Sequence, residues 1–344
     1  MSERIRGQIW RNGQKVDGFD LGQISECMAD EGLLVWADLE CPSHETMARL
    51  ADELHLNPFA VEDTIAASER VKTVSYAQHT FLMVYAVSLH EPGHNDGEDE
   101  SPRDRGHDAQ RATSFDLHRI SVFIKRNAMI TVRRTAGFDM DAVVTRWADV
   151  GGEQYGIGAL LHGLLDVVVD GHFDAVQQID DQLEDVETML FDEKVAGRTL
   201  QRHTYDVRKD LVLLRRVILP MREVIAGIQR RRFDNHAPSE LDPHFSDLYD
   251  HALRASEWTE SLRDMVTTVF ETNLSLADAR LNTVMKKLTA WAAIIAVPTA
   301  ITGWYGQNIP FPGYMHTMGF VLSSALIVVL VLVLYVSFRR RDWL

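Results

Sequence analysis

The sequence predicts an α+β membrane protein: a cytosolic α/β N-terminal domain, a long helical stalk and two C-terminal transmembrane helices. Three observations predict it. Residues 288–305 and 318–338 contain no charged residue; at 1.5 Å per residue they reach roughly 27 and 31 Å, about the hydrocarbon thickness of a bilayer. Short strand-like runs are confined to the first 150 residues or so. Finally, no Gly or Pro interrupts the chain between Pro243 and Pro298, as one continuous helix requires. The expected division is residues 1–155, 156–285 and 286–344, with spans at about 288–305 and 318–338 and an outer loop at 306–317.

In the first of these, Leu33–Leu39 and Phe81–Val87 are apolar runs of strand length. Ile120–Ile124 and Met129–Val132 flank Arg126-Asn127 and read as a hairpin. Ser43–Leu54 reads as a helix capped by Ser43, with Met47, Leu50 and Leu54 on one face. Residues 91–113 are rich in Gly, Pro and charge and read as a disordered surface loop. His90, His94 and His107 in or beside it could ligate a metal, although loop histidines more often simply face water.

From about Gly156 the pattern is helical. Residues 174–193 are strongly acidic, and residues 199–227 alternate basic residues with Leu and Val at helical spacing. Joined near Gly197, they form an antiparallel pair whose opposite charges can meet across the seam. Arg230-Arg231-Arg232 and Pro238 mark the next break. From Pro243 a helical pattern runs through Trp258, Leu262, Met265, Val269, Leu276 and Leu281 into the first span. That helix of roughly 50 residues, about 75 Å, is stable when packed, here against copies of itself.

The two spans differ. The second is almost purely aliphatic, whereas the first carries Thr289, Pro298, Thr299, Thr302 and Gly303. Such residues are tolerated where neighbouring protein or water satisfies the backbone, so the first span is expected to face protein or water and the second lipid. Lys286 and Lys287 precede the first span and Arg339, Arg340 and Arg341 follow the second, while the loop between has only His316. Basic residues stay inside, so both termini are expected in the cytoplasm of a multi-pass cell-membrane protein. Trp304, Tyr305, Tyr314 and Trp343 fall at interfacial depths. The start Met1-Ser2-Glu3-Arg4 lacks the apolar segment of a signal peptide.

The net charge is −15. Residues from 286 onward contribute +4 (five basic residues and one Asp), leaving −19 on the first 285. Nucleic acid needs a basic footprint and is excluded as a partner. An acidic surface attracts cations, although it can serve only solubility. Two cysteines, Cys27 and Cys41, fit a reducing cytoplasm. There is no phosphate-binding glycine loop, nucleophile motif or Cys/His cluster, so neither an enzyme nor a small-molecule organic substrate is expected.

The loop after the first span begins Gly306-Gln307-Asn308. On spacing alone it reads as a tight turn, since Gly and Asn are turn residues. Repeated around an axis, the Asn308 amide instead supplies a ring of uncharged oxygens, which binds a hydrated hard cation weakly enough to let it pass. Met285 and Leu288 have a similar double reading, as ordinary packing residues or as a dewetting gate. Asn282, one turn earlier, needs water or a partner. Asp166, Asp170 and Asp174 share one helix face; solvent, arginines or a divalent cation would relieve their repulsion.

Several segments together resemble the CorA family of divalent-cation channels. They are Asn282-x-x-Met285-Lys286-x-Leu288-Thr289, Pro298-Thr299, Gly303-x-Tyr305-Gly306-x-Asn308 and the terminal Arg-Arg-Arg-Asp-Trp-Leu. Upstream, Pro58-Phe59-Ala60-Val61-Glu62-Asp63, Ile179-Asp180-Asp181, Leu213-Leu214-Arg215-Arg216 and Asp247-Leu248-Tyr249-Asp250-His251 fall in the family's order, so the resemblance covers nearly the whole chain. It implies a funnel-shaped homopentamer in a lipid bilayer, its pore lined by the first spans, including Ala296 and Thr299. Gly306, Gln307 and Asn308 would form the selectivity loop. Asn282, Met285 and Leu288 would line the cytoplasmic half of the pore, the last two as a constriction. Asp63 and Asp247 would bind regulatory Mg²⁺ between neighbouring subunits, supported by Glu62 and Asp166. Three departures stand out: Gln307 replaces the usual Met, Ala296 stands where a larger Met is common, and the acidic residue usual beyond the loop is missing. The implied activity is transport of Mg²⁺, and of Co²⁺ or Ni²⁺, gated by cytosolic Mg²⁺. The alternatives are a Zn²⁺ transporter of the ZntB-like branch and a membrane-anchored cation sensor that does not conduct.

Overall fold

In the computed structural model the described residues are 3–67, 69–90, 113–192, 195–230, 239–307 and 316–344. The chain divides into two compact units, Met1–Thr267 and Thr268–Leu344.

The first unit is built on a seven-stranded sheet. Its strands are β1 (Arg4–Arg11), β2 (Gln14–Val16), β3 (Leu33–Glu40), β4 (Lys72–Ser75), β5 (Thr80–Leu89), β6 (Phe115–Ile124) and β7 (Ala128–Arg133). They lie in the order β2-β1-β3-β7-β6-β5-β4. Only the β3–β7 pair is parallel; β5–β6 and β6–β7 are antiparallel. The candidate strands at 33–39, 81–87, 120–124 and 129–132 are thus real, and the last two form the expected hairpin. Residues 91–112, including His94 and His107, lie outside the described residues.

The period-2 alternation of the strands assigns the two faces of the sheet. Val35, Ala37 and Leu39 of β3, Phe81 and Met83 of β5, and Ala128, Ile130 and Val132 of β7 join one apolar core. That core also takes Ile24 of α1 (Ile24–Ala29), Met47 and Leu50 of α2 (His44–Glu53), and Ala60 of α3 (Pro58–Ile65). Helix α2 starts where the sequence signals it: the Ser43 hydroxyl accepts from the Thr46 amide at 3.1 Å. The alternate residues include a buried polar tie. The Arg133 guanidinium donates to both carboxylate oxygens of Asp38 at 2.6 and 3.1 Å and to Glu40 at 3.0 Å. Thr131 donates to the same Asp38 at 2.7 Å.

Helices α4 (Met140–Asp149) and α5 (Gly152–Phe191) follow. Gly156, at φ 54° and ψ −126°, breaks helical geometry near the start of α5, a conformation open to glycine. Beyond it α5 packs on β5. A Cβ on Gly171 would lie 2.8 Å from the Val87 carbonyl oxygen, so glycine there permits the close approach. Buried His172 beside it meets the Tyr85 carbonyl at 2.8 Å, and burial holds its pKa down to about 4.

The basic helix is shorter than the sequence pattern suggests. It runs as α6 (Gly197–Ile218), stops at Leu219-Pro220 and resumes as α7 (Met221–Arg230). Pro220 is the reason: Leu219 keeps helical geometry at φ −55° and ψ −40°, but proline has no N–H to donate to the carbonyl four residues back and its ring crowds that turn. Helix α8 (Asp242–Tyr305) is unbroken for 64 residues, Pro298 included. That is roughly 96 Å, longer than the expected 50-residue helix. Helix α9 spans Thr317–Arg340.

Among the described residues, three helices are long and apolar enough to cross a membrane. The apolar window of α5 is 67% buried inside the protein, which explains it as core of the first unit. Those of α8 and α9 are 11% and 6% buried and leave Trp291, Ile295, Leu326, Val328, Val329 and Leu332 exposed.

Candidate cation-handling sites

The acidic residues singled out by the sequence fall on α3, α5 and α8. Helix α3 is pinned at both ends. The Asn57 side chain accepts from the Phe59 amide at 3.0 Å, and Pro58 takes the first turn, where no amide partner is needed. At the other end, Arg119 donates to the Thr64 and Ala66 carbonyls at 2.8 and 2.7 Å. Arg134 donates to Ile65 and Ala66 at 2.9 and 2.8 Å. Guanidiniums at the negative end of the helix dipole hold fixed the turn that carries Glu62 and Asp63.

Glu62 is exposed, whereas Asp63 is half-buried and bound to a cation of the same chain. The Lys72 ammonium sits 2.8 Å from Asp63 and 3.1 Å from Glu69. Burial pulls the Lys72 pKa down, but its hydrogen bonds to the two carboxylates outweigh this and hold it above the ordinary value. The hydrogen bond from Lys72 in turn holds the Glu69 carboxyl low.

On α5 and α8 a second arrangement appears. Asp166 and Asp170 of α5, four residues apart, stand beside His251 of α8, with one ligand atom from each within 4.8 Å of the others. This is the one such grouping of three or more His, Cys, Asp or Glu among the described residues. Arg146 of α4 already meets both carboxylates, Asp166 at 3.3 Å. The arginine that relieves the Asp166–Asp170 repulsion thus comes from α4. Burial, then the Asp166 charge, push the Asp170 carboxyl above its ordinary range against the pull of Arg146. Asp247 is 74% exposed and lies 3.7 Å from His251 one turn on. Nearby, buried His162 meets the His244 carbonyl at 3.2 Å while its Nδ1 has no partner. Burial pushes its pKa down.

Asp63, Glu62 and Asp247 do not join the Asp166 group within one chain. Arg146, Lys72 and Glu69 were missed by sequence reasoning: Arg146 is 20 and 24 residues from its partners, and no spacing rule connects them. His251 was legible as the i+4 neighbour of Asp247, although only the family motif drew attention to it.

In the second unit, Asn282, Met285, Leu288, Ala296 and Thr299 are all exposed on α8. The hydroxyls of Thr289, Thr299 and Thr302 donate to the Met285, Ile295 and Pro298 carbonyls at 2.8, 3.1 and 2.9 Å. The polarity of the first span is therefore satisfied within the helix itself, so those threonines do not by themselves require water or a neighbour. Gly306 closes α8, its amide donating to the Thr302 carbonyl at 2.9 Å. A Cβ there would lie 3.0 Å from that same oxygen. Gln307 follows and is exposed; Asn308 lies outside the described residues. At the far end, Trp343 stacks on Phe338 with ring centroids 5.5 Å apart.

Comparison with known proteins agrees across the chain. The cobalt/magnesium transport protein CorA of Thermotoga maritima is 26% identical over 307 residues, covering 87% of this chain and 80% of that protein. The putative metal ion transporter YfjQ of Bacillus subtilis is 28% identical over 311 residues, covering 90% and 89%. The structure of the CorA magnesium transporter from Methanocaldococcus jannaschii shares the fold, with a TM-score of 0.71 at 21% identity over 98% of each chain. Residues 31–340 match the model of the CorA-like Mg²⁺ transporter proteins, and the chain belongs to that family.

Proposed function

We propose that this chain is the subunit of a homopentameric divalent-cation channel in the cell membrane, with both termini cytoplasmic. Mg²⁺ is the principal ion, with Co²⁺ and Ni²⁺ also carried. It is a transporter and not an enzyme. The observation that carries the reading is the unbroken course of α8 from Asp242 to Tyr305 with its apolar membrane window only 11% buried. Such a helix needs a non-aqueous surrounding, which lipid and neighbouring copies of the chain can supply together. Five copies around an axis would bring together Asn282, Met285, Leu288, Ala296 and Thr299, which stand exposed in one chain. Gly306, Gln307 and Asn308 would form the outer ring, where uncharged oxygens hold a hydrated ion weakly.

Regulatory Mg²⁺ fits the carboxylates present. Asp63 and Asp166 each already bind a cationic group of the chain, and oxygen donors suit a hard cation. Asp63 and Glu62 of one subunit would face Asp247 of the next, with Asp166 in support. Cation binding there offsets repulsion between acidic subunits and favours the closed state; its loss shifts the population toward the open one.

The test is ion uptake into liposomes carrying the purified protein, with Mg²⁺, Co²⁺, Ni²⁺ and Zn²⁺ compared in parallel. Mg²⁺ flux that Asn308→Ala reduces more than tenfold is the expected result. Zn²⁺ flux without Mg²⁺ flux would assign the chain to zinc transport, and no flux of any ion would leave a non-conducting sensor.

A further inference from the structure

We infer that Lys72 is a tethered competitor for the regulatory cation: its ammonium occupies Asp63 until a divalent ion displaces it onto Glu69, and so sets the concentration at which the sensor fills. The inference rests on the reading of Asp63 as a regulatory ligand and adds to it a residue that tunes the site.

Four observations carry it. The Lys72 ammonium is 2.8 Å from Asp63, the distance of a full charge-assisted hydrogen bond. Both side chains are about one-fifth exposed, at 18% and 20%, so the pair is screened less than a surface ion pair yet remains open to an arriving ion. Glu69 lies 3.1 Å from the same ammonium. When Asp63 is taken by another cation, Lys72 therefore keeps a counter-ion within reach without entering bulk water or being left buried and unpaired. Finally, the pieces are held in place. The Tyr85 hydroxyl donates to the Glu69 carbonyl at 2.6 Å, and Arg119 and Arg134 pin the end of α3. Lys72 itself begins β4, paired with Met83 of β5.

The consequence is an exchange of one cation for another at a fixed carboxylate. A chain without Lys72 would present Asp63 and Glu69 uncompensated and would bind Mg²⁺ more tightly. A chain without the Glu69 charge would leave Lys72 only Asp63, and Mg²⁺ would bind more weakly.

The experiment reads Mg²⁺ binding and not flux. The full-length protein in detergent is titrated with Mg²⁺ while its melting temperature is followed, and the half-saturating concentration is compared among variants. Lys72→Met is expected to lower that concentration about three- to tenfold, the size of effect for one partly buried ion pair. Glu69→Gln should raise it, and Lys72→Arg should stay near the parent value, which also controls for folding. An unchanged or raised midpoint in Lys72→Met, with Lys72→Arg folded, overturns the competitor role. Asp63→Asn separates the two levels of the argument. If it removes the Mg²⁺-dependent stabilisation while Lys72→Met leaves the midpoint in place, the sensor reading stands and the competitor fails. If Asp63→Asn changes nothing, the sensor reading itself fails, and this inference with it.

Discussion

The two compact units handle charge and apolar surface in opposite ways. Residues 1–267 enclose a continuous apolar core between sheet and helices, and tie their buried and half-buried charges with partners from the same chain, as Asp38 with Arg133 and Asp63 with Lys72. The described residues of 268–344 enclose little. Their helices turn Leu, Ile and Val outward and contain their own polar groups one by one, as when Thr299 donates to Ile295. The first unit supplies its own low-dielectric interior, whereas the second requires an external one. The same kind of substitution should thus be read by different solvents in the two units.

The largest effect is expected at the first unit's buried ion pair. Asp38→Ala would leave Arg133, 3% exposed, with its single contact to Glu40 in place of a bidentate partner, and removing one partner of a buried pair costs about 3–5 kcal/mol. Chemical denaturation of the detergent-solubilised protein should show this loss in the core signal of Trp10, Trp36 and Trp147, which belong to the first unit. A change under 1 kcal/mol would mean that Glu40 or water compensates Arg133, and the contrast between units would weaken. Next comes the second unit. Val328, in the middle of α9, is 62% exposed; on a soluble helix Val328→Lys would be nearly silent. In a bilayer a lysine at mid-span costs about 3 kcal/mol. Membrane-fractionated protein should fall several-fold while the first unit keeps its stability. Normal insertion would remove α9 from the lipid-facing position.

Much of this division was legible in the sequence, for physical reasons. Uncharged runs of bilayer length are unambiguous because few other environments tolerate them. Strands β3, β5, β6 and β7 lie at the middle of the sheet and read as apolar runs, whereas β1 (Arg4–Arg11) and β2 (Gln14–Val16) carry polar and charged residues and were passed over. Pro220 was hidden inside an otherwise convincing helical pattern. The carboxylates of the candidate sites could be named from family motifs, but not their in-chain counter-ions. Arg146 reaches Asp166 and Asp170 from another helix, and Lys72 reaches Asp63 from a strand. Such pairings depend on topology, which periodicity does not encode.

A smaller effect concerns acid, and it sharpens the comparison because the second unit's sequence contains a single histidine, His316. His79 is 5% exposed, lies against the rings of Tyr76 and Phe123, and has no hydrogen-bond partner on either ring nitrogen. Burial, then the Lys125 charge, hold its pKa down to about 4. The unfolded chain takes up a proton near the ordinary 6.5 and the folded chain does not. Stability from this group is therefore complete above pH 6.5, falls as pH drops toward 4, and is reduced by about 2 kcal/mol at pH 5. His172, also held to about 4, adds a loss of the same sign. His79→Phe keeps an aromatic ring against Tyr76 and Phe123 and removes the titration. Denaturation at pH 8 and pH 5 should show the variant losing less on acidification than the parent, by about 2 kcal/mol. Equal losses would mean that the His79 ring is reached by water in the folded protein, and that the first unit's interior is less closed than its burial indicates.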